Sequence, residues 1–187
     1  MTSFYSQDEL SDMGFKRIGS NVMISRKASF YGASNISIGN NIRIDDFCIL
    51  SGVIELSDNI HIAAYSALYG GDIGIIIGKY SNISSRVCIY AISDDYSGES
   101  MSNPTIPDKY KILTSEHVII DRHVIVGSGC TILPGVTLAE GTAVGAMSLC
   151  KQSTEPWGIY AGIPARRIKE RSRELLKLQK EYENEHN

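Results

Sequence analysis

The sequence predicts an all-β fold, a parallel β-helix wound from hexapeptide repeats. Three observations carry that prediction. Apolar residues recur at intervals of six in two unbroken runs: Ile38, Ile44, Leu50, Leu56, Ile62, Leu68 and Ile120, Val126, Ile132, Leu138, Val144, Cys150. The ladder extends to Ile18, Ile24, Phe30 and to Ile77, Ile83, Ile89 across short slips, giving eighteen rungs. Four residues after a rung the side chain is small or branched (Val22, Ala28, Cys48, Ser66, Ser81, Cys130, Thr142, Ser148), and one residue after it glycine recurs (Gly19, Gly39, Gly78, Gly127, Gly145).

Each stride of six reads as one short strand and one corner. The period-2 pleat puts a rung and the residues two and four further on onto one face. The corners need residues that tolerate unusual backbone angles, which "IGNN", "LSDN" and "IGKYSN" supply. Three strides close one triangular coil of 18 residues, and stacked coils bury the rungs. A β-sandwich with accidental sixes is the competing fold; two unbroken runs argue against it.

The remaining elements follow in chain order. Ser6 and Glu9 have capping-box spacing ahead of Leu10, and Gly14 is a stop, which predicts a helical segment over residues 1–14. The β-helix is expected over 15–163. It is interrupted at 94–117, "DDYSGESMSNPTIPDKYKILTSEH", a polar loop whose length marks it as functional. From Pro164 the chain is charged and helix-prone, with a partial apolar stripe of Ile168, Leu175, Leu176 and Leu178, so a helix is expected over 164–187.

Composition excludes several classes. The chain has 187 residues, 43% of them hydrophobic, enough for one domain with a core. A net charge of −3 gives no broad attraction to nucleic acid or anionic membrane. No run approaches the roughly 20 apolar residues of a membrane span. The start, "MTSFYSQDELSDMGF", lacks the regions of a signal peptide, so a cytoplasmic protein is expected. Cys48, Cys88, Cys130 and Cys150 lack zinc or redox spacing, and three fall on interior positions of the repeat, as reduced core residues would.

The stretch "HVIVGSGCTILPGVTLAEGTAVGAMSLC", followed by "WGIYAGIPARRI", resembles the hexapeptide-repeat acyltransferases, in particular the sugar acetyltransferase branch. The resemblance covers roughly residues 15–170. It implies a left-handed β-helix, a homotrimer, and acetyl-CoA as co-substrate in the groove between subunits, with no metal. "FYSQDELSDMGFKRIG" and "IRIDDFCILSG" look like a subgroup associated with surface-polysaccharide sugars, as in O-antigen synthesis. The cofactor positions it implies are Gly127, Ser128, Ala146, Lys151, Gly162 and Arg166. Small residues let a pantetheine arm lie against backbone, and Arg166 or Lys151 suits a phosphate.

The resemblance breaks at the catalytic base. Sugar O-acetyltransferases carry a histidine in the loop, five residues past a rung; counting from Ile89, that position is Asp94, followed by Asp95. In the relatives that acetylate nucleotide-linked amino sugars, a histidine lines the thioester at the place of His61, but their catalytic histidine falls where this chain has Gly52. His61 is therefore the first candidate, as general base or thioester-proximal donor, with Asp94 or Asp95 next. A carboxylate serves best where the acceptor is already nucleophilic. His123 reads as a structural corner residue.

For the acceptor, the galactoside-acting members place an asparagine before a phenylalanine where this chain has Asp46 before Phe47. Asp45, Asp46 and Tyr65 are the candidate sugar-binding residues, and a carboxylate there leans towards an amino-bearing sugar. The expected function is acetyl transfer to a nucleotide-linked amino-deoxy sugar. O-acetylation of a sugar or glycan hydroxyl remains an alternative, as does a catalytically silent trimeric scaffold. A metal protein built on His61, His117 and His123 is disfavoured by their spacing.

Overall fold

The structure, a computed structural model, describes residues 3–186. It is a three-sided parallel β-helix, each side a stack of short strands in register. On the first side Ile18, Ile38, Leu56, Ile77, Ile120 and Leu138 lie rung on rung. Ile24, Ile44, Ile62, Ile83, Val126 and Val144 form the second stack, continued by Tyr160. The third holds Phe30, Leu50, Leu68, Ile89, Ile132 and Cys150. All eighteen expected rungs therefore stack. Apart from the half-buried Ile18 and Phe30 of the first coil, they are buried. Each buried aliphatic side chain stabilises the fold by roughly 1.5–3 kcal/mol.

The residues four after a rung face the same core and bond to it. Ser66 and Ser81 hydroxyls donate to the carbonyls of Ser84 and Asp121, both at 2.9 Å. Cys48 and Cys130 thiols point in the same way at the carbonyls of Ala63 and Gly145. Burial pushes the Cys48 thiol to about 11 and the Cys150 thiol to about 12, so both stay protonated and inert. Cys88, half-buried, is free like the other three.

The glycines after the rungs serve close approach. A Cβ on Gly39 would lie 2.3 Å from the Ser57 carbonyl oxygen of the next coil, and one on Gly127 would lie 2.5 Å from the Ala146 nitrogen. The left-handed backbone falls to other residues: Asn21, Asn41, Asn59, Tyr80, His123 and Trp157 at the first corner, and Phe47, Tyr65, Arg86 and Met147 at the second. In "IGKYSN" it is Tyr80, at φ +62°, that takes this position. Such residues cost strain of about 1–2 kcal/mol each. Stacking between successive coils offsets part of it, with Phe47 on Tyr65 at 4.9 Å and Tyr80 on His123 at 5.2 Å.

Helix α1, Gln7–Asp12, closes the open end of the first coil with Leu10 fully buried, and its capping box is formed by Ser6 and Glu9. The 94–117 excursion is not loop throughout. Ile92–Asp94 and Leu113–Ser115 pair antiparallel, so its base is a two-stranded ribbon.

The C-terminal expectation needs correction, because residues from 164 do not form one helix. Ala165–Glu170 runs back antiparallel along Gly158–Gly162, and helix α2 starts only at Leu175, spanning Leu175–His186. The last coil leaves a row of unpaired backbone groups, and the returning strand satisfies them while its charges face solvent. Ile168 is consequently exposed and belongs to no helical stripe. Helix α2 then docks on the first corner. There the Tyr80 hydroxyl donates to Glu183 at 2.8 Å, His123 Nε2–H donates to Gln179 at 2.8 Å, and Arg171 donates to the His123 and Gly141 carbonyls. Among the described residues no helix is long and apolar enough to cross a membrane.

Candidate active site

The second corner is built from small residues in every coil after the second. Ala63–Ala64, Ser84–Ser85, Gly127–Ser128, Gly145–Ala146 and Ala161–Gly162 succeed one another along it. They are held in line by backbone bonds of 2.8–3.0 Å, such as Ala63 to Ile83, Ser84 to Val126 and Gly127 to Val144. Gly127, Ser128, Ala146 and Gly162, expected at a cofactor site, therefore fall on one strip. Ser128, Ala146 and Gly162 are exposed along it. The strip suits a slender chain lying against backbone.

Beside the strip, the outward residues of the second side form a polar row. Arg43, His61 and Asn82 are register partners on adjacent coils. His61 Nε2–H donates to Asp45 Oδ2 at 2.8 Å, and its Nδ1 faces Asn82 Oδ1 at 3.0 Å. Asn82 Nδ2–H in turn donates to Ser84 Oγ at 3.4 Å. Burial works to raise the Asp45 carboxyl, but the bonds from His61 and Arg43 together outweigh it and hold it below the usual carboxylate range. Both nitrogens of His61 are thus engaged within the chain, which leaves no lone pair aimed at a substrate.

Asp45, Asp46 and Tyr65 share an open cleft of about 480 Å³ with Arg43, Phe47 and Ala64. Asp46 accepts from the Lys27 ammonium at 2.8 Å and from the Ser25 hydroxyl, which together lower its pKa. The cation that this carboxylate meets is Lys27, one coil away. The stacked rings of Phe47 and Tyr65, 45% and 56% exposed, form the apolar wall of that cleft.

Asp94, Asp95 and Lys151 line a second cleft, of about 580 Å³, with Tyr96, Leu133 and Pro134. The two aspartates differ. Asp95 accepts from the hydroxyls and N–H groups of both Ser97 and Ser100, the Ser97 hydroxyl lowering its pKa most, and it is held down at about 2. It organises the loop. Asp94 accepts one long bond, 3.3 Å, from the Asn103 N–H. Lys151 lies with these carboxylates and not on the small-residue strip. Arg166, on the returning strand, bonds to Gln152 at 3.3 Å. One chain does not bring His61 and Asp94 together, since the third side separates them. No group of three or more His, Cys, Asp or Glu placed to hold a metal occurs among the described residues.

Sequence reasoning passed over Asn82 and Ser84. Ser84 occupies the position one after a rung that Gly127 and Gly145 occupy in other coils, and that register was the available signal.

No family model matches the chain. It is 50% identical over 180 residues, 95% of this chain and 93% of the relative, to the dTDP-4-amino-4,6-dideoxy-D-glucose acyltransferase of Escherichia coli. It is 26% identical over 165 residues, 83% of this chain and 64% of the relative, to the galactoside O-acetyltransferase of Escherichia coli K12. Among solved structures, AntD, an N-acyltransferase from Bacillus cereus, superposes with a TM-score of 0.97 at 51% identity, covering 99% of both chains. That complex holds dTDP-4-amino-4,6-dideoxyglucose and coenzyme A. Another holds dTDP and 3-hydroxybutyryl-CoA. The first of these complexes is the S84C variant of AntD, which has also been solved as S84A, S84T, D94A and D94N variants. With half its residues shared along nearly the whole length, the chain belongs to the hexapeptide-repeat sugar acyltransferases, enzymes that use acyl-CoA as co-substrate.

Proposed function

We propose that this enzyme transfers an acyl group from acyl-CoA to the amine of a dTDP-linked 4-amino-4,6-dideoxyhexose destined for a surface polysaccharide. One observation carries the reading most: the cleft holds a carboxylate, Asp94, with a single weak internal bond, and none of the described residues lining that cleft is a histidine. An amine attacks a thioester without prior deprotonation and becomes strongly acidic as it does so, and a carboxylate is then a sufficient base. A hydroxyl needs its proton taken during attack, which suits imidazole.

The amine lone pair attacks the thioester carbon, forming the C–N bond and moving the carbonyl π electrons onto oxygen. Asp94 takes the proton released by nitrogen. Collapse restores the carbonyl and breaks the C–S bond, and the coenzyme A thiolate leaves and is protonated. Ser84, on the small-residue strip, is placed to donate its hydroxyl to the transient oxyanion. The full-length match to AntD, studied with substitutions at residues 84 and 94, supports both assignments, since this chain carries Ser84 and Asp94 at those numbers.

In this reading the pantetheine lies along Gly127, Ser128, Ala146 and Gly162, with Arg166 and Lys151 available to phosphates. Because one chain keeps Ser84 and Asp94 on opposite edges of its third side, the site is completed between subunits of a homotrimer. The acyl group is acetyl or a short hydroxyacyl chain. A cytoplasmic setting suits both co-substrates. The test is thiol release on mixing the enzyme with acetyl-CoA or 3-hydroxybutyryl-CoA and dTDP-4-amino-4,6-dideoxyglucose, with sedimentation of the same sample. Turnover by a trimer is expected; no release above hydrolysis rejects the assignment.

A further inference from the structure

We infer that the nucleoside diphosphate of the acceptor lies along the second corner, on the amino-terminal side of Ser84, with its diphosphate on Arg86 and its base against Tyr65 and Phe47. The inference rests on the function proposed above. Its basis is a column of corner residues, one from each coil. Phe47, Tyr65, Arg86, Gly129 and Met147 succeed one another, all with left-handed backbone. The N–H groups of the last four donate to the coil before, at the carbonyls of Asp46, Ala64, Ser85 and Ser128, over 2.8–3.1 Å. The column changes character at the coil of Ser84. On one side stand two exposed aromatic rings; on the other, a Cβ at Gly129 would lie 2.5 Å from the Met147 sulfur, so a thioether fills that place.

Charge singles out Arg86 within this corner. Its neighbouring cations each meet a carboxylate: Arg26 with Glu9 at 2.6 Å, Lys27 with Asp46 at 2.8 Å and Arg43 with Asp45 at 2.7 Å. Arg86 is exposed and, among the described residues, has neither an ion pair nor a side-chain hydrogen bond. Asp45 and Asp46, beyond Tyr65, offer nothing to an anion, so a diphosphate stops at Arg86 and a neutral nucleoside continues over the rings. An arginine fork matches phosphate oxygens in pairs.

Reach decides which of the two substrates meets Arg86, which follows Ser84 by two residues on the same coil. Coils stand about 4.8 Å apart. The C4 amine and C1 phosphate occupy opposite ends of one pyranose ring, so the acceptor diphosphate falls within about two coils of the acyl carbon. The coenzyme A thiol is separated from its nearest phosphate by a chain holding two amides, which carries that phosphate about three coils or more away. Arg86 is therefore too close to Ser84 to serve the donor and correctly placed for the acceptor.

Calorimetric titration of the full-length enzyme with dTDP and, separately, with coenzyme A tests this, alongside steady-state kinetics on acetyl-CoA and dTDP-4-amino-4,6-dideoxyglucose. Arg86→Gly removes the guanidinium and adopts the left-handed backbone without strain, so the fold is kept. It is expected to weaken dTDP binding about 10–100-fold and to raise the amino-sugar KM in parallel. Coenzyme A affinity and the acetyl-CoA KM stay within about twofold. Arg86→Lys, which keeps the charge without the fork, is expected to fall between. Tyr65→Asn, which also tolerates that backbone, is expected to weaken dTDP about tenfold. An Arg86→Gly enzyme that binds dTDP as the wild type does, one that loses coenzyme A affinity instead, or a Tyr65→Asn enzyme with unchanged dTDP affinity each overturns the inference. A wild type that binds coenzyme A and not dTDP instead rejects the functional assignment itself.

Discussion

Asp94 and Asp95 are neighbours in sequence with opposite bonding: Asp95 is saturated by Ser97 and Ser100, while Asp94 accepts a single 3.3 Å bond from Asn103. In the proposed function the less engaged Asp94 takes the chemistry, while Asp95 orders the loop. Asp94→Asn is expected to lower kcat by about 10²–10⁴-fold, the range for a positioned general base. Asp95→Asn keeps most of its kcat and weakens the order of the loop. Steady-state kinetics together with limited proteolysis of the loop separate the two outcomes.

Gly127 tests the small-residue strip. A methyl there meets the Ala146 nitrogen at 2.5 Å and the Val144 carbonyl oxygen at 2.8 Å, backbone atoms that move only if two coils part. Gly127→Ala should therefore cost about 1–3 kcal/mol of stability, the range for overpacking, and weaken coenzyme A binding. At Gly145 the nearest atom is the Ala161 Cβ at 3.0 Å, so Gly145→Ala should lose less. Thermal denaturation and calorimetry measure both.

The solenoid was legible because its information repeats: each rung, from Ile18 to Cys150, restates the same stride. The geometry of the candidate site was legible in part. Asp94 and the strip of Gly127, Ser128 and Ala146 stand at positions that could be counted from rungs. The surroundings of His61 were not legible, because its partners, Asp45 and Asn82, lie one coil away on each side and fall next to it only once the coils stack. The ion pair of Asp46 was hidden for the same reason, its ammonium partner being Lys27 of the preceding coil. The returning strand Ala165–Glu170 was hidden because helix propensity is local, whereas the open sheet edge that captures this segment is a tertiary feature.

His123 links stability to pH. Burial lowers its pKa below the ordinary 6.5, with the nearby Arg122 and Arg171 acting in the same sense and Gln179 and Glu140 opposing. The folded state therefore takes up a proton later than the unfolded state as pH falls. Stability is fully present above about 6.5 and is lost as pH drops through the depressed value. His123→Asn, which accepts the left-handed backbone but does not titrate, should have a lower melting temperature at pH 8, and the gap to wild type should narrow towards pH 5. A constant gap across melting curves in that range removes His123 as the source.

The acceptor of the proposed reaction is an amine whose proton goes to Asp94. The most direct measurement compares kcat/KM for dTDP-4-amino-4,6-dideoxyglucose with that for the same nucleotide sugar bearing a 4-hydroxyl. A preference for the amine of at least about 10³-fold is expected, abolished together with turnover in Asp94→Asn. Equal acylation of the two acceptors, or an Asp94→Asn enzyme as fast as the wild type on the amine, would contradict it.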